Sequence, residues 1–195
     1  MACQCADNWS TTRLASDRGL TWRVASSTDH ALVDQFLANG GTGIPSVDKF
    51  VREDLLNYAD QRYANTFFLV DGAGLPVGFV SNSMASVQIP DGELLGRNML
   101  PIRDVPFLFL HRLGVLVSHK RTGLGSLLVW RVFETLAHSC INSAAAGIAL
   151  LVDPGNADAK AFYDGMSFAH VGKRGKYELL MLPFEGAVEQ IPPAL

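Results

Sequence analysis

A chain of 195 residues, 48% hydrophobic and 18% charged, is long enough for a substantial core and reads as one ordered domain, which excludes a disordered chain. Its formal net charge of -3 and the lack of a long basic tail exclude a general DNA coat. Cys3, Cys5 and Cys140 form neither a disulfide framework nor a four-ligand zinc site, so no metal is expected.

Residues 1–19 are mostly polar or small and are expected to form a loose arm. They lack the basic and apolar regions of a signal peptide. The apolar run from Val105 to Val117 is interrupted by His111 and Arg112 and is too short to cross a bilayer, so a cytoplasmic protein without membrane contact is expected.

Leu20 to Val24 reads as a first strand. Ser26, Ser27, Thr28 and Asp29 offer caps for a helix carrying Leu32, Val33, Phe36 and Leu37. After the Gly40-Gly41-Thr42-Gly43 break, Ser46 is expected to cap a second helix through Val47, Val51, Leu55 and Tyr58. Thr66–Val70 and Leu75–Met84 form a hairpin about Asp71-Gly72-Ala73-Gly74. Val87 to Pro106 reads as a long substrate-side connection containing Asp91, Glu93, Arg97 and Arg103.

Phe107 to Val117 suits a central strand, followed by a turn over Ser118–Thr122. Beyond it Leu124, Leu128, Val132 and Leu136 recur every four residues, as on the buried face of a helix. Ala149–Val152 is a further buried strand, Asp153-Pro154-Gly155 a turn, and Asn156 opens a short helix with Phe162 and Tyr163. Phe168–Val171 and Tyr177–Leu182 read as antiparallel strands about the basic turn Gly172 to Lys176. The domain is expected to span 20–183 and a tail 184–195. The order is a mixed α/β one with antiparallel margins.

The chemistry concentrates in Lys120-Arg121-Thr122-Gly123-Leu124-Gly125, between a strand and a helix. Glycines there let backbone approach an anion, and helix N-terminal amides can hold a pyrophosphate. Neither a Walker motif nor a full dinucleotide fingerprint is present.

The stretch Arg112-Leu113-Gly114-Val115 through Gly125 resembles the acetyl-coenzyme A-binding segment of the Gcn5-related N-acetyltransferase (GNAT) superfamily, written Q/R-x-x-G-x-G/A. Gly123 and Gly125 match it. Lys120 replaces the usual Gln or Arg, Arg121 stands where many relatives have Gly, and Leu116 where an acidic or polar residue is frequent. Leu150-Leu151-Val152 with Asn156 to Tyr163 resembles the family's second cofactor-side strand and helix. Asp164-Gly165-Met166-Ser167-Phe168 resembles its Tyr-x-x-x-Gly-Phe ending, with Ser167 in place of Gly.

The resemblance implies a mixed central sheet with a splayed pair of parallel strands and flanking helices, and acetyl-CoA as cofactor. Leu113, Gly114 and Val115 would pair with pantetheine amides, and residues 120–125 would receive the pyrophosphate. Asn156 would bond a cofactor amide, cap its helix, or do both. Tyr163 would protonate the leaving thiolate, and a backbone N–H near Val115 would meet the oxyanion.

The general base is left open. His111 has a useful ordinary pKa, His119 lies in the phosphate turn, and Asp91 and Glu93 lie in the long connection. An α-amine near pKa 7.7–8 is partly neutral at pH 7, whereas a lysine amine needs roughly 3–4 kcal/mol more for deprotonation, which favours an α-amino acceptor.

Across most of the chain after residue 30 the layout is similar to toxin-type GNAT enzymes paired with ribbon-helix-helix antitoxins. Those relatives acetylate the amino group of aminoacyl-tRNA. The likeness implies tRNA and antitoxin as partners, and pairing into a homodimer is a further expectation. Arg97, Arg103, Lys173, Arg174 and Lys176 would then steer RNA phosphate, or act as ordinary surface charge. A small metabolite, drug or peptide amine is the alternative acceptor, and a catalytically weak GNAT-shaped interaction protein a third reading.

Overall fold

The computed structural model describes residues 10–88, 104–140 and 145–189. In chain order it contains α1 (Thr11–Ser16), β1 (Leu20–Val24), α2 (His30–Ala38), α3 (Pro45–Glu53), α4 (Leu55–Asp60), β2 (Asn65–Asp71) and β3 (Pro76–Gln88). Then follow β4 (Asp104–Val115), a 3-10 turn (Val117–His119), α5 (Leu124–Cys140), β5 (Gly147–Val152), α6 (Ala157–Gly165), β6 (Ala169–Arg174), β7 (Tyr177–Pro183) and α7 (Phe184–Glu189). The strands form one seven-stranded sheet in the order β1-β2-β3-β4-β5-β7-β6. β4 and β5 run parallel, while β1–β2, β2–β3, β5–β7 and β6–β7 pair antiparallel. This is the mixed, helix-flanked sheet expected from the sequence.

The chain divides into two compact units. The first holds residues 10–83 and 111–132. Its core gathers Leu32, Phe36, Phe50, Leu55, Phe68 and Phe79, with Phe36 meeting Phe79 edge-on at 5.7 Å. Alternation in β2 and β3 aims these rings at the helices, which cover them with the apolar stripes of α2 and α3. The second unit holds the remaining described residues. There Phe107, Ala149, Leu179 and Met181 pack with Val87 and Val105.

The expected periodic faces are present, and Leu124, Leu128, Val132 and Leu136 of α5 are all buried. Several expectations need correction. Residues 11–16 are helical rather than part of a loose arm, because Thr11 and Ala15 are buried and the Trp22 indole N–H donates to the Thr11 carbonyl at 3.1 Å. Residues 184–189 are likewise helical rather than loose, with the Phe184 N–H donating to the Ala146 carbonyl at 2.9 Å.

Ser46 does not cap the second helix. That helix starts a residue earlier at Pro45, whose fixed φ suits a first helical position, and it breaks at Asp54 into α3 and α4. The loop before it is tied instead by Asp48, whose Oδ1 accepts from the Thr42 N–H and hydroxyl, each at 2.7 Å. Asp29 does not cap α2 with its side chain. It is buried and accepts from Arg23 and from the Ser26 N–H and hydroxyl. The central strand stops at Val115 rather than Val117. Arg97, Arg103, Asp91 and Glu93, with residues 1–9, lie outside the described residues, as does the Cys140 side chain.

Candidate active site

The parallel ladder between β4 and β5 pairs Leu108 with Ile148, Phe109 with Ala149 and Leu110 with Leu150. β4 runs on through Leu113, Gly114 and Val115, while β5 continues to Val152 opposite Glu178 of β7. Gly114 is required by packing. A Cβ there would lie 2.5 Å from Phe79 Cε1 and 2.6 Å from Thr42 Cγ2, distances no real Cβ tolerates. Beyond Val115 the chain is held by the Leu116 N–H on the Val77 carbonyl at 2.9 Å and the Val117 N–H on the Gly41 carbonyl at 2.8 Å.

The turn that follows has two residues in the left-handed region, Arg121 at φ 63 and Gly123 at φ 83. Glycine adopts that conformation freely and arginine does not. The Thr122 hydroxyl donates to the His119 carbonyl at 2.6 Å, and the His119 ring shares a 3.0 Å hydrogen bond with Ser118. Leu124 is buried and seats the head of α5, with Gly125 in its first turn. Lys120, Arg121, Thr122 and Gly123 are exposed. The first amides of a helix have no partner within it. Exposed amides flanked by cations suit a phosphate oxyanion, and the donor set fits a cofactor with a pyrophosphate.

Arg18 was not singled out in the sequence, yet its Nη1 donates to the Thr122 carbonyl at 3.5 Å, across 104 positions of chain. No local pattern marks so long a separation.

On the same strand, His111 Nε2 shares a 2.7 Å hydrogen bond with the Ser83 hydroxyl, and its ring meets Tyr58 edge-on at 6.4 Å. Burial first, and then the neighbouring Arg112 cation, hold the imidazole below its ordinary pKa. A neutral imidazole can accept a proton from an amine.

In the second unit, Asn156 caps α6, its Oδ1 accepting from the Ala159 N–H at 3.0 Å. The capping role is therefore present, and it engages the side-chain oxygen. Tyr163 is the buried member of the aromatic pair, with its ring 5.1 Å from Phe162 and 5.5 Å from Phe168. The Phe168 N–H returns to the Tyr163 carbonyl at 3.0 Å through Ser167, which stands at φ 59. Lys173, Arg174 and Lys176 are exposed around the β6–β7 turn, where Gly175 takes φ 60. Lys176 Nζ lies 5.2 Å from the centre of the Tyr177 ring. Among the described residues no helix is long and apolar enough to cross a membrane.

A mixed sheet with a parallel pair, followed by a glycine-containing turn at the head of a long helix, defines an α/β protein whose turn suits an anionic group. The family model for the acetyltransferase (GNAT) family matches residues 45–168, and the chain belongs to that family. It is an acetyl-CoA-dependent acetyltransferase.

No curated protein matches the chain. Among solved structures, a tyrosine-to-phenylalanine mutant of KacT is 21% identical, with 88% of this chain and 98% of that one covered and a TM-score of 0.72. AtaT complexed with acetyl-methionyl-tRNAfMet is 15% identical, with coverage of 85% and 95% and a TM-score of 0.71. A tyrosine-to-phenylalanine AtaT mutant toxin, bound to the C-terminus of the antitoxin AtaR and acetyl-CoA, is 15% identical, with coverage of 87% and 96% and a TM-score of 0.68. What these proteins share with this chain is the fold.

Proposed function

We propose that this acetyltransferase modifies the α-amino group of an aminoacyl-tRNA, in the manner of a translation-blocking toxin. The observation that carries the reading is the exposed turn before α5, with Arg121 and Gly123 in the left-handed region, which follows β4 after a short 3-10 turn. The structural neighbour captured with acetyl-methionyl-tRNAfMet supports the choice of acceptor.

Acetyl-CoA supplies an activated thioester carbonyl. The acceptor amine would form the new C–N bond at that carbonyl as the C–S bond breaks, its surplus proton leaving to solvent. Amides of residues 121–125, with the Lys120 and Arg121 side chains, hold the pyrophosphate. Backbone groups of Leu113, Gly114 and Val115 align the pantetheine arm, and the Val115 N–H meets the oxyanion. Asn156 keeps its oxygen on the Ala159 N–H, so its amide donates to a cofactor carbonyl. The Tyr163 phenol would give its proton to the departing thiolate. Lys173, Arg174 and Lys176 attract RNA phosphate together with Arg97 and Arg103 of the long connection. A ribbon-helix-helix antitoxin and a second copy of the chain are the partners this reading brings.

A net charge of -3 favours a second reading, a small metabolite, drug or peptide amine as acceptor. Incubation with acetyl-CoA and separate pools of charged tRNA, peptides and small amines, read by mass spectrometry, decides between them. Acetyl groups on charged tRNA alone support the first reading. Acetylation only of peptides or small amines overturns it in favour of the second.

A further inference from the structure

Arg18 follows α1, and that helix is fixed from two sides. The Thr11 carbonyl accepts from Trp22 at 3.1 Å, and its hydroxyl accepts from Arg131 Nη1 at 3.4 Å. The Arg18 N–H returns to the Ala15 carbonyl at 3.0 Å, and Gly19, at φ 68, swings the chain into β1. Arg18 is exposed, and its guanidinium is thereby brought to the turn. Its Nη1 donates to the Thr122 carbonyl at 3.5 Å, and a Cβ on Gly123 would lie 3.4 Å from the same nitrogen.

The carbonyl and amide of one planar trans peptide point in opposite directions. A donor held on the Thr122 carbonyl therefore fixes the direction of the Gly123 N–H. The Thr122 hydroxyl, committed to the His119 carbonyl at 2.6 Å, restrains the same residue through its side chain. A guanidinium has several donors in a rigid fork, so one bond to a carbonyl leaves others for an oxyanion.

We propose that Arg18 is a positioning residue for the cofactor: it biases the orientation of the turn's peptide and adds positive charge beside the phosphate groups of coenzyme A. This rests on reading the turn as the phosphate site. It assigns to the N-terminal segment a share of cofactor selection that the Q/R-x-x-G-x-G/A segment alone does not contain.

The test measures coenzyme A binding by calorimetry, and acetyl-CoA kinetics, in the full chain and in Arg18→Gln and Arg18→Lys. Loss of the charge-assisted bonds in Arg18→Gln is expected to weaken coenzyme A binding about tenfold, with the loss in KM rather than kcat. Arg18→Lys keeps the charge but not the fork, and is expected to recover only part of the loss seen in Arg18→Gln. Dephospho-coenzyme A separates the two sources of phosphate. A penalty that persists with it assigns Arg18 to the pyrophosphate, and one that disappears assigns it to the ribose 3′-phosphate; both support the proposal.

Equal coenzyme A binding by Arg18→Gln and the parent overturns the role of Arg18 while leaving the phosphate turn intact. A parent chain that does not bind coenzyme A overturns the phosphate reading itself. Should Arg18→Gln fail to fold, the parent answers the question through butanedione modification. Coenzyme A is expected to shield Arg18 and not the exposed Arg13, and equal labelling of Arg18 with and without it overturns the proposal.

Discussion

Arg121 and Ser167 share a positive φ, 63 and 59, Arg121 standing where many GNAT relatives have glycine and Ser167 in place of the glycine of the family's Tyr-x-x-x-Gly-Phe ending. Both turns thus take a glycine-type path without the residue that takes it most easily. A left-handed residue with a Cβ costs roughly 1–2 kcal/mol, and the entropy of an added glycine returns about half of that.

Arg121→Gly and Ser167→Gly are therefore each expected to raise stability by about 0.5–1 kcal/mol in urea unfolding. The two differ in function. Removing the Arg121 cation raises KM for acetyl-CoA even as the fold tightens, whereas Ser167→Gly leaves KM where it was. A fall in stability for both would show that neither turn is strained.

Gly114→Ala tests the close approach of β4 to Phe79 of β3 and to the loop at Thr42. With the new methyl inside contact distance of Phe79 and Thr42, an overpacking cost of about 1–3 kcal/mol is expected, along with a lower kcat/KM. Denaturant titration and steady-state kinetics read both effects. A neutral substitution would mean that β4 shifts freely at the cofactor strand.

Tyr163→Phe separates chemistry from packing. The ring contacts with Phe162 and Phe168 survive the change, so stability is expected to fall by no more than about 1.5 kcal/mol. Loss of the proton donor is expected to lower kcat roughly 10²–10⁴-fold with KM for acetyl-CoA unchanged. Full turnover in this variant would leave the thiolate without Tyr163 as its acid.

Each unit held features legible in the sequence and features that were not. Strands and the long helix carried their period in the residues, as Leu124, Leu128, Val132 and Leu136 did, because burial on one face is a local pattern. The turn was visible through Gly123 and Gly125, and Asn156 through its cap position. Arg18 was hidden, since its partner lies 104 positions away and no periodicity encodes such a meeting. The ends were misread because helices as short as α1 and α7 draw their stability from tertiary contacts rather than from propensity.

His111 provides a pH test. Its folded pKa lies below the ordinary 6.5, so the unfolded chain binds the proton more readily. The stability tied to neutral His111 is complete above pH 6.5 and is lost as pH falls toward the folded value. Melting temperature should drop across that window in the parent and drop less steeply in His111→Gln. Parallel pH profiles would place the titration elsewhere.

β6 closes the strand order on one side, and its pairing with β7 slips between His170 and Gly172 before Lys173 and Arg174. An uneven, cationic border is a poor template for a foreign strand. Straightening it, by restoring even register and replacing both cations with valine, would turn this margin into a nucleus for fibrous growth.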